Sequence, residues 1–413
     1  MDFHPIATPE QHDHERQAVA LTQHPVVREA YDRVRESWLA AMKPGPDAFR
    51  CFDDAFEEVM FSAAVWSSNQ DPLRPKVICI TRLAHELGDL WIPGSRWGID
   101  NPDSIYRVIP ISGDERYMIR GRVAERRMTE NYFTLWQENM NTVDVLNGKD
   151  LLLDSERRFE ITVDSEPANG RPNHVQSAPE AHEFYIRDVI LDWALDEPNE
   201  LTIERVGDPP STPPRTEDEQ AQLTASYMLR FAEFTQKLGR AMMSTPPNVF
   251  SLPHSADEGG ALRKQVYIGG NFLLTEEQAM LIDVSDGGAE YFVVPTGNIW
   301  GTTFDITDRT SSLNKAQSVP NPDGTYTFVL SLRDPGVHNW IDPCDMSEGI
   351  LTLRMAEFPG GRPNADLEAK SRMVPFASLG EELPTETKWL TPAERAKQLA
   401  DRAAAYRRRL PES

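Results

Sequence analysis

Two strand-rich stretches of the chain carry the same succession of turn, strand, loop and strand, and that repetition limits the folds open to it. The first copy starts at Ser112-Gly113-Asp114-Glu115-Arg116-Tyr117, passes through Asn173-His174-Val175 and closes on Phe184-Tyr185-Ile186-Arg187-Asp188. The second starts at Ser285-Asp286-Gly287-Gly288-Ala289-Glu290-Tyr291, passes through Asn339-Trp340-Ile341 and closes on Ile350-Leu351-Thr352-Leu353-Arg354. Within them apolar and polar residues alternate, as at Tyr106-Val108-Pro110 and Tyr117-Ile119-Gly121, which is the period of a strand with one buried face. Further strands are expected at 133–137, 151–153, 159–163, 184–193 and 201–206, then at 279–284, 290–295, 316–319, 326–332 and 350–357. Short alternating strands with turn-rich connections, met twice, predict a mainly β protein of two related β-sandwich modules.

Helical signals flank and separate the copies. Val27, Tyr31, Val34, Trp38 and Met42 recur at helical spacing until Lys43-Pro44-Gly45-Pro46 breaks the pattern. Phe52, Phe56, Val59 and Ala63 continue it, whereas residues 1–24 read as a polar, solvated tail. Four prolines between Asp208 and Pro214 make a stiff linker, followed by the capping pair Thr216 and Glu219 and a stripe of Leu223, Tyr227, Phe231, Phe234, Leu238 and Met242. A last helix is expected from Thr391-Pro392-Ala393-Glu394. The organisation is thus an N-terminal helical region (1–104), a first sandwich (105–207), a linker and long helix (208–247), a second sandwich (248–358) and a C-terminal tail with a helix (359–413).

Composition narrows the function classes. Lys and Arg total 42 against 65 Asp and Glu, a net charge of −23, which argues against nucleic acid or an anionic membrane as partner. No apolar run approaches the roughly 20 residues of a membrane span, and the N-terminus lacks the basic-then-apolar pattern of a secretory signal. A cytoplasmic protein is expected. Cys51, Cys79 and Cys344 form no CxxC pair, so neither a disulfide framework nor a zinc knuckle is indicated. His12-Asp13-His14 has no further ligand nearby, and the spacing of His174, His182 and His338 does not support a metal site. No phosphate-loop, dinucleotide, nucleophile-elbow or zinc-protease string occurs, so no cofactor is expected.

The segment Asp334-Pro335-Gly336-Val337-His338-Asn339-Trp340, with Ser311-Ser312-Leu313-Asn314 and Asn321-Pro322-Asp323-Gly324, resembles a widespread bacterial family of unknown function, usually two sandwich modules in one chain. Gly113-Asp114-Glu115-Arg116-Tyr117 and Ile203-Glu204-Arg205 fit the same resemblance, which covers most of residues 105–358. It implies the fold and carries no catalytic assignment.

Residues shared by both copies serve the shared fold, so those found in one copy are freer to serve a ligand. The densest such group is the 334–340 loop. His338 titrates near neutrality and would act as general base with Asp334 orienting it. Asn339 either donates to a developing oxyanion or satisfies loop backbone, and Trp340 is either a stacking wall or core. Trp300, in a glycine-flanked loop like Trp91 and Trp97, is a second candidate for a ligand wall, with Arg116 and Arg354 as anion partners. Asp188 and Asp192, four residues apart on one expected strand, would lie about 13 Å apart, beyond the spacing of a glycosidase pair. Two functions fit: a cofactor-independent hydrolase or lyase for a small hydroxylated or cyclic metabolite, or a non-catalytic protein that binds a small molecule or glycan. If the loop is catalytic, His338→Ala abolishes turnover while ligand affinity survives, whereas a pure binder turns nothing over in either form.

Overall fold

Alternation drives each strand-rich half to bury one face against a second sheet, and in the computed structural model, which describes residues 4–255 and 264–410, both halves do so. Helices α1 (Pro9–Thr22), α2 (Pro25–Met42), α3 (Pro46–Arg50) and α4 (Phe52–Ser68) come first, then β1 (Ile78–Cys79) and a hairpin of β2 (His85–Leu87) and β3 (Leu90–Ile92). The first module contains β4 (Ser104–Pro110), β5 (Arg116–Arg122), β6 (Glu130–Gln137) and β7 (Thr142–Asn147). It continues with β8 (Arg158–Asp164), β9 (His174–Gln176), β10 (Ala181–Val189) and β11 (Glu200–Val206). After α5 (Glu217–Met243) the second module contains β12 (Val266–Leu273), β13 (Gln278–Ser285), β14 (Tyr291–Gly297) and β15 (Ser312–Asn314). Then follow β16 (Tyr326–Leu330), β17 (Trp340–Ile341), β18 (Glu348–Ala356) and β19 (Glu368–Pro375), and finally α6 (Leu379–Glu382) and α7 (Pro392–Arg407).

The duplication holds strand by strand. In the first module β4-β10-β6-β7 packs on β11-β5-β8-β9, with β1 added beside β4. In the second β12-β18-β14-β15 packs on β19-β13-β16-β17, so β4 corresponds to β12, β5 to β13 and onward to β11 and β19. Even the single parallel pair of each module, β8 with β9 and β16 with β17, falls in the same place. Ile109, Ile119, Phe133, Phe184 and Ile186 fill the first sandwich; Ile268, Ile282, Phe292, Leu351 and Leu353 fill the second.

The other face of β4, β6 and β10 is buried as well. Tyr106, Val108, Trp136 and Tyr185 join the helical core of α2, α4 and α5, while Val189 packs with Tyr291, Val293 and Ala356 of the second module. Asp103, just before β4, is fully buried and accepts hydrogen bonds from Trp193 Nε1 (2.7 Å), Tyr291 Oη (2.9 Å) and Asn314 Nδ2 (2.8 Å), which joins the two modules.

Four local expectations need correction. Residues 9–22 form α1 rather than a solvated tail, because two of its four buried positions are polar: Gln11 bonds both backbone groups of Cys79, and Glu15 takes Arg82 and His85. Burial alone would raise the Glu15 carboxyl, but His85, Arg82 and Gln11 together hold it down to about 2. Residues 151–153 lie outside any ladder, and 315–317 make a tight helical turn because Asn314 caps it through Gln317 N. The expected strand 184–193 ends at Val189, beyond which Asp192 closes a turn with Asp196. β12 and β19 lacked a legible pattern: β12 carries Gly269-Gly270, where a Cβ on Gly270 would meet Val249 O at 2.8 Å, and β19 is largely polar.

Asp188 points into the end of the first sandwich, where it pairs with Arg107 and accepts from Asn131 Nδ2 at 2.7 Å. Both partners are essentially inaccessible. Asp188→Ala therefore strands a buried guanidinium and is expected to cost about 3–5 kcal/mol in urea unfolding; a loss under ~1 kcal/mol would mean that water reaches Arg107.

Candidate functional site

The outward faces of β4, β6 and β10 from one module and of β12 and β18 from the other meet around a cavity of about 310 Å³. Trp97, Tyr106, Trp136, Tyr185 and Tyr267 supply aromatic wall, and Phe234, Leu238 and Met242 of α5 supply aliphatic and aromatic cover. These positions follow from period two: Tyr185 and Arg187 point away from the sandwich interior that Phe184 and Ile186 fill. Tyr185 stacks on Trp136 with ring centroids 4.2 Å apart, and the Arg187 guanidinium lies 4.6 Å from the Tyr185 centroid. Arg354 enters from β18 and donates from Nη2 to the carbonyl of Ile99.

Ile99 holds that carbonyl in place at a backbone cost. It sits at φ 61°, a left-handed conformation that costs a β-branched residue about 1–3 kcal/mol. Its amide donates to Gly301 O at 2.8 Å, so the two glycine-flanked tryptophan loops, 97–101 and 297–301, close on each other. A Cβ on Gly301 would meet Thr235 Cγ2 at 2.4 Å, which excludes any larger residue from this contact.

One carboxyl lines the cavity and a second lies behind its wall. Asp100, in its wall, accepts from Thr303 N and Thr303 Oγ1, both at 2.8 Å, and burial raises its affinity for a proton. Glu130, at the start of β6, is fully buried; Gln265 Nε2, from the cavity wall, donates to both its oxygens at 2.8 and 3.1 Å. Burial, with Glu357 nearby, lifts its carboxyl to about 7 against the opposing pull of Gln265, Arg187 and Arg354.

The residues singled out in the sequence separate. Arg354 lines this cavity, and so does Trp97. Trp300 is fully buried in the helical core, donating to Ala48 O at 2.7 Å and packing on Trp38 and Phe52. Arg116 is exposed at the start of β5. Asp334, His338, Asn339 and Trp340 lie together at the far side of the second sandwich, under α7. There Arg395 pairs with Asp334 at 3.0 Å and lies over the Trp340 ring. Trp340 is buried and donates to Ser331 O at 3.0 Å, and His338 donates to Asn339 Oδ1 at 3.2 Å. Asn339 accepts from Val319 N at 2.9 Å and donates to Val319 O at 2.8 Å; Asn173 does the same with both backbone groups of Leu152. His338, whose basicity burial lowers, also borders an open cleft of about 380 Å³ with Asp192, Asp401 and Arg402. Among the described residues no three His, Cys, Asp or Glu side chains are placed to hold a metal ion, and no helix is long and apolar enough to cross a membrane.

Sequence reasoning passed over Tyr106, Trp136, Tyr185, Arg187, Tyr267, Glu130 and Gln265. One signal was present: Tyr and Arg recur in both copies at positions that pair across strands, Tyr106 with Arg187 and Tyr267 with Arg354.

The buried Glu130 has a measurable consequence. An ordinary Glu value of about 4.5 raised to about 7 in the fold means that the native protein binds the proton more tightly. Stability is therefore lost as pH rises from about 4.5 through about 7, by about 3 kcal/mol. Glu130→Gln is expected to flatten the stability profile between about pH 5 and about pH 8; equal slopes in the two proteins would exclude Glu130 as its source.

No protein-family model matches the chain, and no curated protein matches it. Among solved structures it is similar to an uncharacterised protein from Burkholderia cenocepacia, at 20% identity and TM-score 0.72, over 88% of this chain and 100% of that one. A protein from Vibrio parahaemolyticus is more distant, at 10% identity and TM-score 0.44, over 84% of this chain and 100% of that one. The Burkholderia protein shares the two-sandwich fold.

Proposed function

We propose that this protein is a cofactor-independent enzyme, of hydrolase or lyase type, that takes a small ring-bearing metabolite into the cavity between its two modules. The aromatic lining carries this reading: five Trp and Tyr side chains, from both modules and from the loop before β4, surround one space. Its volume of about 310 Å³ stands at the lower end of ligand sites, which limits the guest to one or two rings. Asp100, in the cavity wall, is the acid–base group this chemistry would use, while Glu130, behind the wall, positions Gln265. A second reading, a binding protein without turnover, is favoured by one observation: both carboxyls are already hydrogen-bonded within the protein.

A thermal-shift screen of one- and two-ring metabolites, with substrate loss followed by mass spectrometry, tests this. At least one compound should stabilise the wild type and lose about tenfold or more in affinity in Thr352→Phe, which fills the cavity, while His338→Ala leaves binding intact. The opposite pattern would move the site to the 334–340 loop. Where turnover is found, Asp100→Asn should lower it by about 10²-fold or more; binding without turnover of any compound would favour the second reading.

A further inference from the structure

The duplication brings one pair of side chains to the cavity twice. Arg187 on β10 stands opposite Tyr106 on β4, and Arg354 on β18 stands opposite Tyr267 on β12, which are the corresponding strands. All four residues line the cavity. Neighbouring outward positions differ between the copies, as Tyr185 and Thr352 do. Keeping a guanidinium at both sites is costly, since each loses the water that would solvate it.

Arg82, Arg96 and Arg107, buried or half-buried, each meet a carboxylate, that of Glu15, Glu58 and Asp188, whereas the buried Arg402 and Arg409 donate to backbone carbonyls and neutral side chains. Arg354, 9% exposed, makes no such ion pair among the described residues, and its Nε has no hydrogen-bond partner there. Trp136, also in the cavity wall, has a buried Nε1 with no partner among the described residues. Both vacant groups are donors, so what completes them is an acceptor. Arginine beside an aromatic wall is suited to a planar acid, because the fork binds two oxygens and the rings cover the rest.

We infer that the cavity binds a ring-bearing anion, a carboxylate or a phosphate ester, held by Arg354 of one module and Arg187 of the other with its ring among Tyr106, Trp136, Tyr185 and Tyr267. This rests on the reading that the cavity is the ligand site. The protein's net charge of −23 repels such a ligand at long range, so the preference is a local property of the two guanidiniums, and moderate salt should speed association.

Calorimetric titration of the full chain with indole-3-acetate, phenyl phosphate, the uncharged indole-3-acetamide and the cationic tryptamine separates the outcomes. One of the two acids should bind at least about tenfold more tightly than the amide. The better acid identifies the anion, carboxylate or phosphate ester. Arg354→Gln should bring the acid-to-amide ratio near one, and Arg354→Lys should restore part of it. The comparison within the wild type stands even if a variant fails to fold. Equal or tighter binding of the amide or the amine would overturn the anion preference while leaving the cavity as a ligand site, as would a preference that survives in both Arg354→Gln and Arg187→Gln. Failure of all four probes to bind would overturn both.

Discussion

Asp103 is the contact on which the arrangement of the two modules depends. A carboxylate with no access to water must be satisfied inside the protein, and its partners come from both modules: Trp193 beyond β10, Tyr291 on β14 and Asn314 on β15. Three directional bonds to one side chain leave little freedom for one sandwich to turn against the other. Removing any one partner would leave a buried polar group unmatched, so the set is held as a unit. The cavity inherits that rigidity, because β4 and β10 run from this contact into its wall and β14 is paired with β18, which lines its other side.

The helices complete what the sheets begin. α5 lies along the opening between the modules, with its N-terminus fixed by the reciprocal bonds of Thr216 and Glu219, and lends Phe234, Leu238 and Met242 to the cavity. α7 crosses from one module to the other: Arg402 donates to Ile306 O and Ser312 Oγ while lying over the Trp193 ring. Arg395 from the same helix holds the 334–340 loop through Asp334 and the carbonyl of Val337. Burial of those arginines favours a single placement of α7, since a shifted helix would leave their donors unmatched.

Duplication followed by divergence sorts the residues by role. Asn173 and Asn339 make the same backbone clip in both copies and so belong to the shared fold. The outward faces tell a different story, for they retain a Tyr–Arg pair in each module while the residues around them differ. Loop asymmetry, which sets His338 apart between the copies, concerns the far end of the second sandwich. The equivalence across β4–β10 and β12–β18 concerns the space between modules, where a ligand can touch both.

Much of this fold was legible from residue order alone. Period-two alternation and repeated turns determined the sandwiches, and proline, threonine and glutamate at fixed offsets marked α5 and α7, because those signals are local. α1 was not legible, since Gln11 and Glu15 are buried for partners distant in sequence. The site was legible only in part: Arg354 and Trp97 stood out by residue type, but nothing local distinguishes an outward strand face that meets solvent from one that meets a second module. Whether Tyr185, Arg187 and Tyr267 line a cavity depends on how two sandwiches dock. That docking is fixed by long-range contacts such as Asp103 with Tyr291 and Asn314, which only the tertiary structure brings together.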